Sequence, residues 1–195
     1  MFALFAAINF KEPAMKKLVL IVACALGMQT TANAYECAYN NIESTSPIEK
    51  FLDNGDGTVT DLRFGLMWSV CTYGQTYNVT EKTCQGDGEA LLTWSGALNS
   101  QEQMNDNQSL GHSDWRLPNI KELHSIVERA CRNPAIRSEV FPDSLNVVYW
   151  SNTPDKEVNP PLLGRVVDFA DGSEFFKATS ENIYVRHVRS INNLK

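Results

Sequence analysis

This sequence has no C-x-x-C pair and no closely spaced group of cysteines and histidines, which removes the usual framework of a zinc site. Positive charge is scarce too: 17 Lys and Arg stand against 23 Asp and Glu, a formal net charge of −6. An acidic chain is a poor partner for nucleic acid, whose phosphates are met by a basic stripe. No apolar run is long enough to cross a bilayer in the mature chain, and no internal repeat, low-complexity tract or interdomain linker divides it. No motif calls for a cofactor or a metal.

What is present begins with an export signal. Met15-Lys16-Lys17 forms a positive start, Leu18–Leu26 an apolar stretch and Ala32-Asn33-Ala34 a small-x-small cleavage site, the three parts of a secretory signal peptide. Residues 1–34 are therefore read as an upstream extension plus signal peptide, with Met15 the true start. Ile21-Val22-Ala23-Cys24 also resembles a lipoprotein box, which would put a lipid on Cys24 instead. Removing 1–34 takes away three basic residues and one acidic residue, leaving a formal net charge of −8. The remaining chain, expected to be secreted, periplasmic or at the cell surface, divides into an arm at 35–50 and a single domain at 51–195. Its length of about 160 residues suffices for one buried core.

Of five cysteines, four lie beyond the leader: Cys37, Cys71, Cys84 and Cys131. An even number in an exported protein implies a disulfide framework, for which three connectivities exist. The expected pairs are Cys71–Cys84, closing a polar loop, and Cys37–Cys131, tying the arm to the end of a helix.

That helix belongs to Gly111–Val127. Asp114-Trp115-Arg116-Leu117 alternates polar and apolar residues as a half-buried strand does, with Trp115 and Leu117 inward and a carboxylate, Glu122 or Asp114, expected on Arg116. Pro118 ends the strand, and Asn119 with Glu122 spells a capping box. From Ile120 the apolar residues Ile120, Leu123, Ile126, Val127 and Ala130 share a helical stripe, whereas Glu128 falls off it. Around this segment lie a helix at Leu92–Met104 with Thr93 as its cap, short strands within Phe51–Trp68, and strands at Val147–Ser151, Arg165–Phe169, Glu174–Ala178 and Ile183–Arg189. The stretches Asn105–His112 and Arg132–Asn146 read as irregular chain. The turn Asn54-Gly55-Asp56-Gly57 is not an EF-hand loop: with Gly57 at the invariant glycine, the first and last ligand positions fall on Leu52 and Arg63.

The run DWRLPN-x-KEL, preceded by DNGDGTVTD and GLMW and followed by YWSNT, VVDF-x-DG and YVR-x-VR, resembles the bacterial family typified by the C-terminal domain of the collagen-like adhesin Lcl, over about Phe51–Arg189. An α+β domain follows from the element order. The resemblance implies a C-type-lectin-like fold, with two helices flanking a twisted antiparallel sheet and disulfides as staples.

Catalytic residues are not expected. His112, Ser113 and Asp114 are sequence neighbours and cannot meet as a triad on an extended chain; His124 reads as a packed or surface residue. Formylglycine-generating oxidases, similar in their WRLP segment, need a cysteine pair late in the domain. Here Cys131 is the last cysteine, and His187 stands where family members often carry one. Phe141-Pro142-Asp143 and Trp150-Ser151-Asn152 each lack an oxygen ligand of the calcium-dependent lectins. What the resemblance does imply is a binding or adhesion module for glycans or cell-surface polymers, with a thiol oxidase of the formylglycine-generating type or a structural subunit of a surface assembly as the alternatives. The Lcl relative binds sulfated glycosaminoglycans, which want clustered cations. Candidate ligand residues are Trp150, ahead of a long Pro-rich loop at Thr153–Leu163, with Asn152, Arg165, Arg186 and Arg189. The other tryptophans are read as core.

Overall fold

The computed structural model describes residues 36–89, 93–155 and 162–191; the leader and most of the Pro-rich loop lie outside them. Turn chemistry organises the first sheet. Asp53 accepts from the Gly55 amide and Asp56 from the amide and hydroxyl of Thr58, while Gly57 holds φ at +90°, which only glycine adopts at little cost. This turn joins β2 (Phe51–Asp53) to β3 (Thr58–Asp61), and a second, with Gly65 at φ +64°, leads into β4 (Leu66–Ser69). With β11 (Val188–Ser190) they form a four-stranded antiparallel sheet in the order β11-β4-β3-β2. A second antiparallel sheet, in the order β10-β9-β8, contains β8 (Val148–Pro154), β9 (Leu163–Asp168) and β10 (Ser173–Ala178). Two ribbons complete the strands: β1 (Glu36–Cys37) with β7 (Cys131–Arg132), and β5 (Thr76–Asn78) with β6 (Thr83–Gln85).

The helices are α1 (Trp94–Asp106) and α2 (Ile120–Ser125). Thr93 caps α1 by accepting from the Gly96 amide, and Asn119 and Glu122 form the expected reciprocal box at α2. The expected helix to Ala130 is too long. At Ser125 the side chain turns back to the Glu122 carbonyl, and the Lys50 ammonium takes the Ser125 carbonyl at 2.6 Å. Beyond that point the Glu128 amide donates to Ala135 and Val127 bridges Ile136, so the backbone bonds laterally instead of along a helix axis. Ile126, Val127 and Ala130 stay buried, which is why their spacing imitated a longer stripe. Glu128, assigned to the exposed side, is fully buried.

Two further readings need correction. Asp114–Leu117 is not a strand but a single bridge, Arg116 to Val188; its alternation nonetheless holds, with Trp115 and Leu117 buried and Asp114 exposed. Strand structure in 183–189 is confined to β11 and isolated bridging at Ile183 and Tyr184, because the Trp150 amide and the Tyr73 amide each take a carbonyl from this segment, of Tyr184 and Val185. The polar excursion after Trp68, read as a loop, contains the β5–β6 ribbon.

The core is built where the sheets and helices meet. One cluster packs Trp68, Phe141, Tyr149 and Phe169 against Leu123, Ile126 and Val127; another packs Ala97 of α1 against Leu117, Trp150, Val166 and Val185. Disulfides join Cys71 to Cys84 and Cys37 to Cys131, spanning 13 and 94 residues. This is a disulfide-stapled α+β architecture. No helix among the described residues is long and apolar enough to cross a membrane.

Candidate functional site

The five candidate ligand residues do not come together on a surface. Trp150 is completely buried, so its ring presents no face to a ligand; it lies over Gly164, where an added Cβ would come within 2.8 Å of the ring. Arg186 is only 1 % exposed. Its guanidinium donates to the carbonyls of Ser69 and Val70 and to Ser144 Oγ, and it stacks on Phe141 at 5.0 Å. Burial lowers its pKa, and carbonyl dipoles and ring faces take the place of a carboxylate. Arg165 pairs with Glu174 and stacks on Phe176, and Arg189 donates to Asp114 at 2.6 Å. Asn152 donates to the Leu117 carbonyl and so fastens β8 to the segment before α2. The basic set is thus internally engaged. Arg116, for its part, makes a two-pronged pair with Glu122, 2.7 Å on each arm, which locks the capping carboxylate.

The lectin-like calcium positions are occupied as well. Asp143 accepts from the Cys84 amide, and Asn152 is engaged as described. No group of three or more His, Cys, Asp or Glu side chains suited to a metal ion occurs among the described residues. His112 meets the Trp115 ring edge-on, and Asp114 is bonded to Arg189.

A different feature stands out at the end of β4. An open cleft of about 370 Å³ lies between the Gly57 turn, the Cys71–Tyr77 stretch, the end of α1 and the turn after it. Tyr77 forms one wall and packs so closely on Gly57 that a Cβ there would sit 3.0 Å from it. Tyr73 forms another, its hydroxyl donating to Gln103 at 2.6 Å. Thr72, Gln75 and Thr76 also line it, but the Thr72 hydroxyl is bonded to Tyr149 and the Gln75 amide accepts from the Thr72 amide and donates to the Gly86 carbonyl; Asp56 is the single carboxylate of the lining, and no Lys or Arg contributes.

His187 also borders the cleft, 1 % exposed and edge-on to the Tyr73 ring at 5.2 Å. Its Nε2 lies 2.9 Å from Ser100 Oγ, and Ser100 Oγ lies 2.7 Å from the Ala97 carbonyl. A carbonyl only accepts, so the single serine proton goes to Ala97, and Nε2 must be the donor to Ser100. The ring is therefore the Nε2–H tautomer. Nδ1 is left as a bare acceptor with no hydrogen-bond partner among the described residues. Burial pushes the pKa down to about 3, so the ring is neutral over the ordinary range. A Ser–His pair of this polarity is the reverse of what nucleophilic catalysis requires, where histidine accepts the serine proton and a carboxylate holds its other nitrogen.

Sequence reasoning noted His187 as a departure from the family pattern and as a neighbour of the C-terminal arginines, and missed the cleft. One signal was in view: a histidine inside the alternating run Tyr184–Val188 is flanked by core positions.

A comparison with curated proteins found no match. A model of the Lcl C-terminal domain matches residues 57–189, a span that holds α1, α2, the Cys71–Cys84 bridge and every wall of the cleft but Asp56. The chain therefore belongs to the Lcl C-terminal domain family.

Proposed function

We propose that this protein is an exported, non-enzymatic binding or adhesion module with a C-type-lectin-like arrangement of its single domain at 51–195, and that it engages glycans or other cell-surface polymers through the cleft beside β4. The cleft's lining carries the reading: two tyrosine rings in a lining without Lys or Arg make a surface on which sugars can stack. The family's adhesin prototype agrees with it. So do the two disulfides, which persist in oxidising compartments outside the cytoplasm. A thiol oxidase would need a free cysteine late in the domain; all four cysteines of the described residues are bridged.

On a glycan array, protein beginning at Tyr35 should retain its bound signals in EDTA, and Tyr77→Ala should weaken them by roughly tenfold, the loss of one stacking ring plus its buried area. Signals abolished by EDTA would instead make it a calcium lectin, and an array blank in both conditions would remove the glycan reading. Export itself is checked separately. N-terminal sequencing of protein recovered outside the cytoplasm should start at Tyr35, whereas a lipid-modified Cys24 at the terminus would show anchoring.

A further inference from the structure

We propose that the outer edge of β10 is a self-association surface, on which a second copy of this chain adds its own β10 antiparallel, so that the three-stranded sheet continues into its copy across a two-fold axis at Phe175. This edge shares no residue with the cleft, so it and the glycan reading can fail independently.

The order β10-β9-β8 leaves β10 at the rim of its sheet, and its six residues run unbroken in register against β9. Backbone bonds at the two ends of this ladder show which groups face outward. The Thr179 amide donates to the Leu162 carbonyl, and the Asp168 carbonyl faces β10, accepting from the Gly172 amide. By the alternation of an antiparallel ladder, Lys177 then bonds Gly164, Phe175 bonds Val166 and Ser173 bonds Asp168, while Glu174, Phe176 and Ala178 turn amide and carbonyl away from β9. Ala178 is already satisfied, since its amide donates to the Glu181 carboxylate and its carbonyl accepts from the Glu181 amide. The Glu174 and Phe176 backbones have no such outward partner among the described residues, and both residues are exposed, Phe176 at 42 %. An aromatic on an unpaired edge, with neither proline nor bulge to blunt it, is a template for another strand.

Charge and hydrogen bonding select the occupant's register. Asp168, Asp171 and Glu174 lie toward one end of this hairpin edge and Lys177 toward the other, so a second β10 laid antiparallel is the charge-matched strand. Centred on Glu174, the pairing would set that carboxylate against its own copy, and centred on Lys177 it would oppose two ammonium groups; both cost stability across a strand pair. Centred on Phe176, it would call on the Ala178 groups that Glu181 already holds. Centred on Phe175, each Glu174 lies opposite Phe176 of the other copy, and the two residues exchange both backbone bonds, which uses every open group of the two edges. On the opposite face Phe175 meets Phe175, and Lys177 meets Ser173 of the other copy, beside Asp171, whose carboxylate accepts from the Ser173 amide.

The test uses protein beginning at Tyr35. Sedimentation equilibrium over a dilution series reaching about 1 mM should move from twice the chain mass toward the chain mass as the protein is diluted. Phe176→Pro removes an amide that makes no bond to β9, so it should hold the protein at the chain mass with its circular dichroism unchanged. The register is read by Ser173→Cys and Lys177→Cys, made as separate proteins. Neither position lies opposite itself, but mixed they form a non-hydrogen-bonded pair with Cα atoms about 4.5 Å apart, within disulfide reach, so mild oxidation should cross-link the mixture about tenfold more than either variant alone. If Phe176→Pro does not fold, the cysteine pair decides. A constant chain mass throughout the series, a closed ring of three or more chains, a folded Phe176→Pro that still doubles its mass, or a mixture that cross-links no better than its components would overturn the proposal.

Discussion

Replacing Trp115 by alanine should destabilise the domain by about 3–5 kcal/mol, the cost of removing a large aromatic from a close-packed core. The ring is 1 % exposed, and its Nε1 donates to the Ser109 carbonyl at 2.7 Å. Its backbone is held as firmly, since the Asn105 side chain accepts from the Trp115 amide and donates to its carbonyl at 2.7 and 2.9 Å. One residue therefore fixes the end of α1, the turn at Ser109–Gly111 and the approach to α2. Chemical denaturation with and without the substitution measures the loss. An unchanged midpoint would mean that this segment does not organise the fold.

Glu128→Ala should cost a similar 3–5 kcal/mol, the usual penalty when one partner of a buried ionic network is removed. The carboxylate is fully buried and accepts from Ser44 Oγ at 2.5 Å and from the amides of Thr45, Ser46 and Ala130 at 3.1, 3.2 and 3.0 Å. Arg137 approaches it at 3.5 Å. Burial on its own would raise its pKa, but the hydrogen bonds from Ser44, Ala130, Thr45 and Ser46 outweigh burial and leave it below the ordinary 4.5. A carboxylate whose pKa is lowered in the folded state contributes stability that is present above its unfolded value and lost as pH falls through the folded one. His187 acts in the same direction over a higher range. With a folded pKa of about 3 against an ordinary 6.5, it stays neutral in the fold while the unfolded chain takes up a proton, so stability declines as pH drops below 6.5. Melting curves should therefore show acid destabilisation in two stages, the lower of which is reduced in Glu128→Gln, with Asp53, Asp114 and Asp171 still contributing to it, and the upper of which is lost in His187→Gln. A single stage common to all three proteins would contradict both assignments.

What the sequence made legible was local. The capping box, the inward placement of Trp115 and Leu117 and the cap at Thr93 each depend on residues within a few positions of one another, and each is found in the structure. The helix overran because Ile126, Val127 and Ala130 are buried by a turn toward Ala135 and Ile136 that happens to preserve helical spacing. Trp150 and Arg186 were misjudged as ligand residues for another reason. Period-two alternation separates the faces of a strand, but not a face covered by a second layer from one open to water. Arg186 donates through Nη1 to carbonyls about 116 residues away, a partnership no spacing rule exposes. The cleft is assembled from the turn before β3, the stretch after Cys71, the end of α1 and His187, so only the folded chain brings it into being.

The attachment of the N-terminal arm decides how the chain answers a mechanical load. A pull on the chain ahead of Cys37 meets a covalent link to Cys131 before it can reach the sheets, with the Glu128 cluster clamping the same arm. The 94-residue separation between those cysteines is withheld from extension. At about 3.3–3.6 Å per residue, this removes roughly 300 Å of contour from the slack that load could draw out. The Gly57 turn, Tyr73, Tyr77 and the whole of α1 lie inside that closed loop, so most of the cleft stays outside the line of tension.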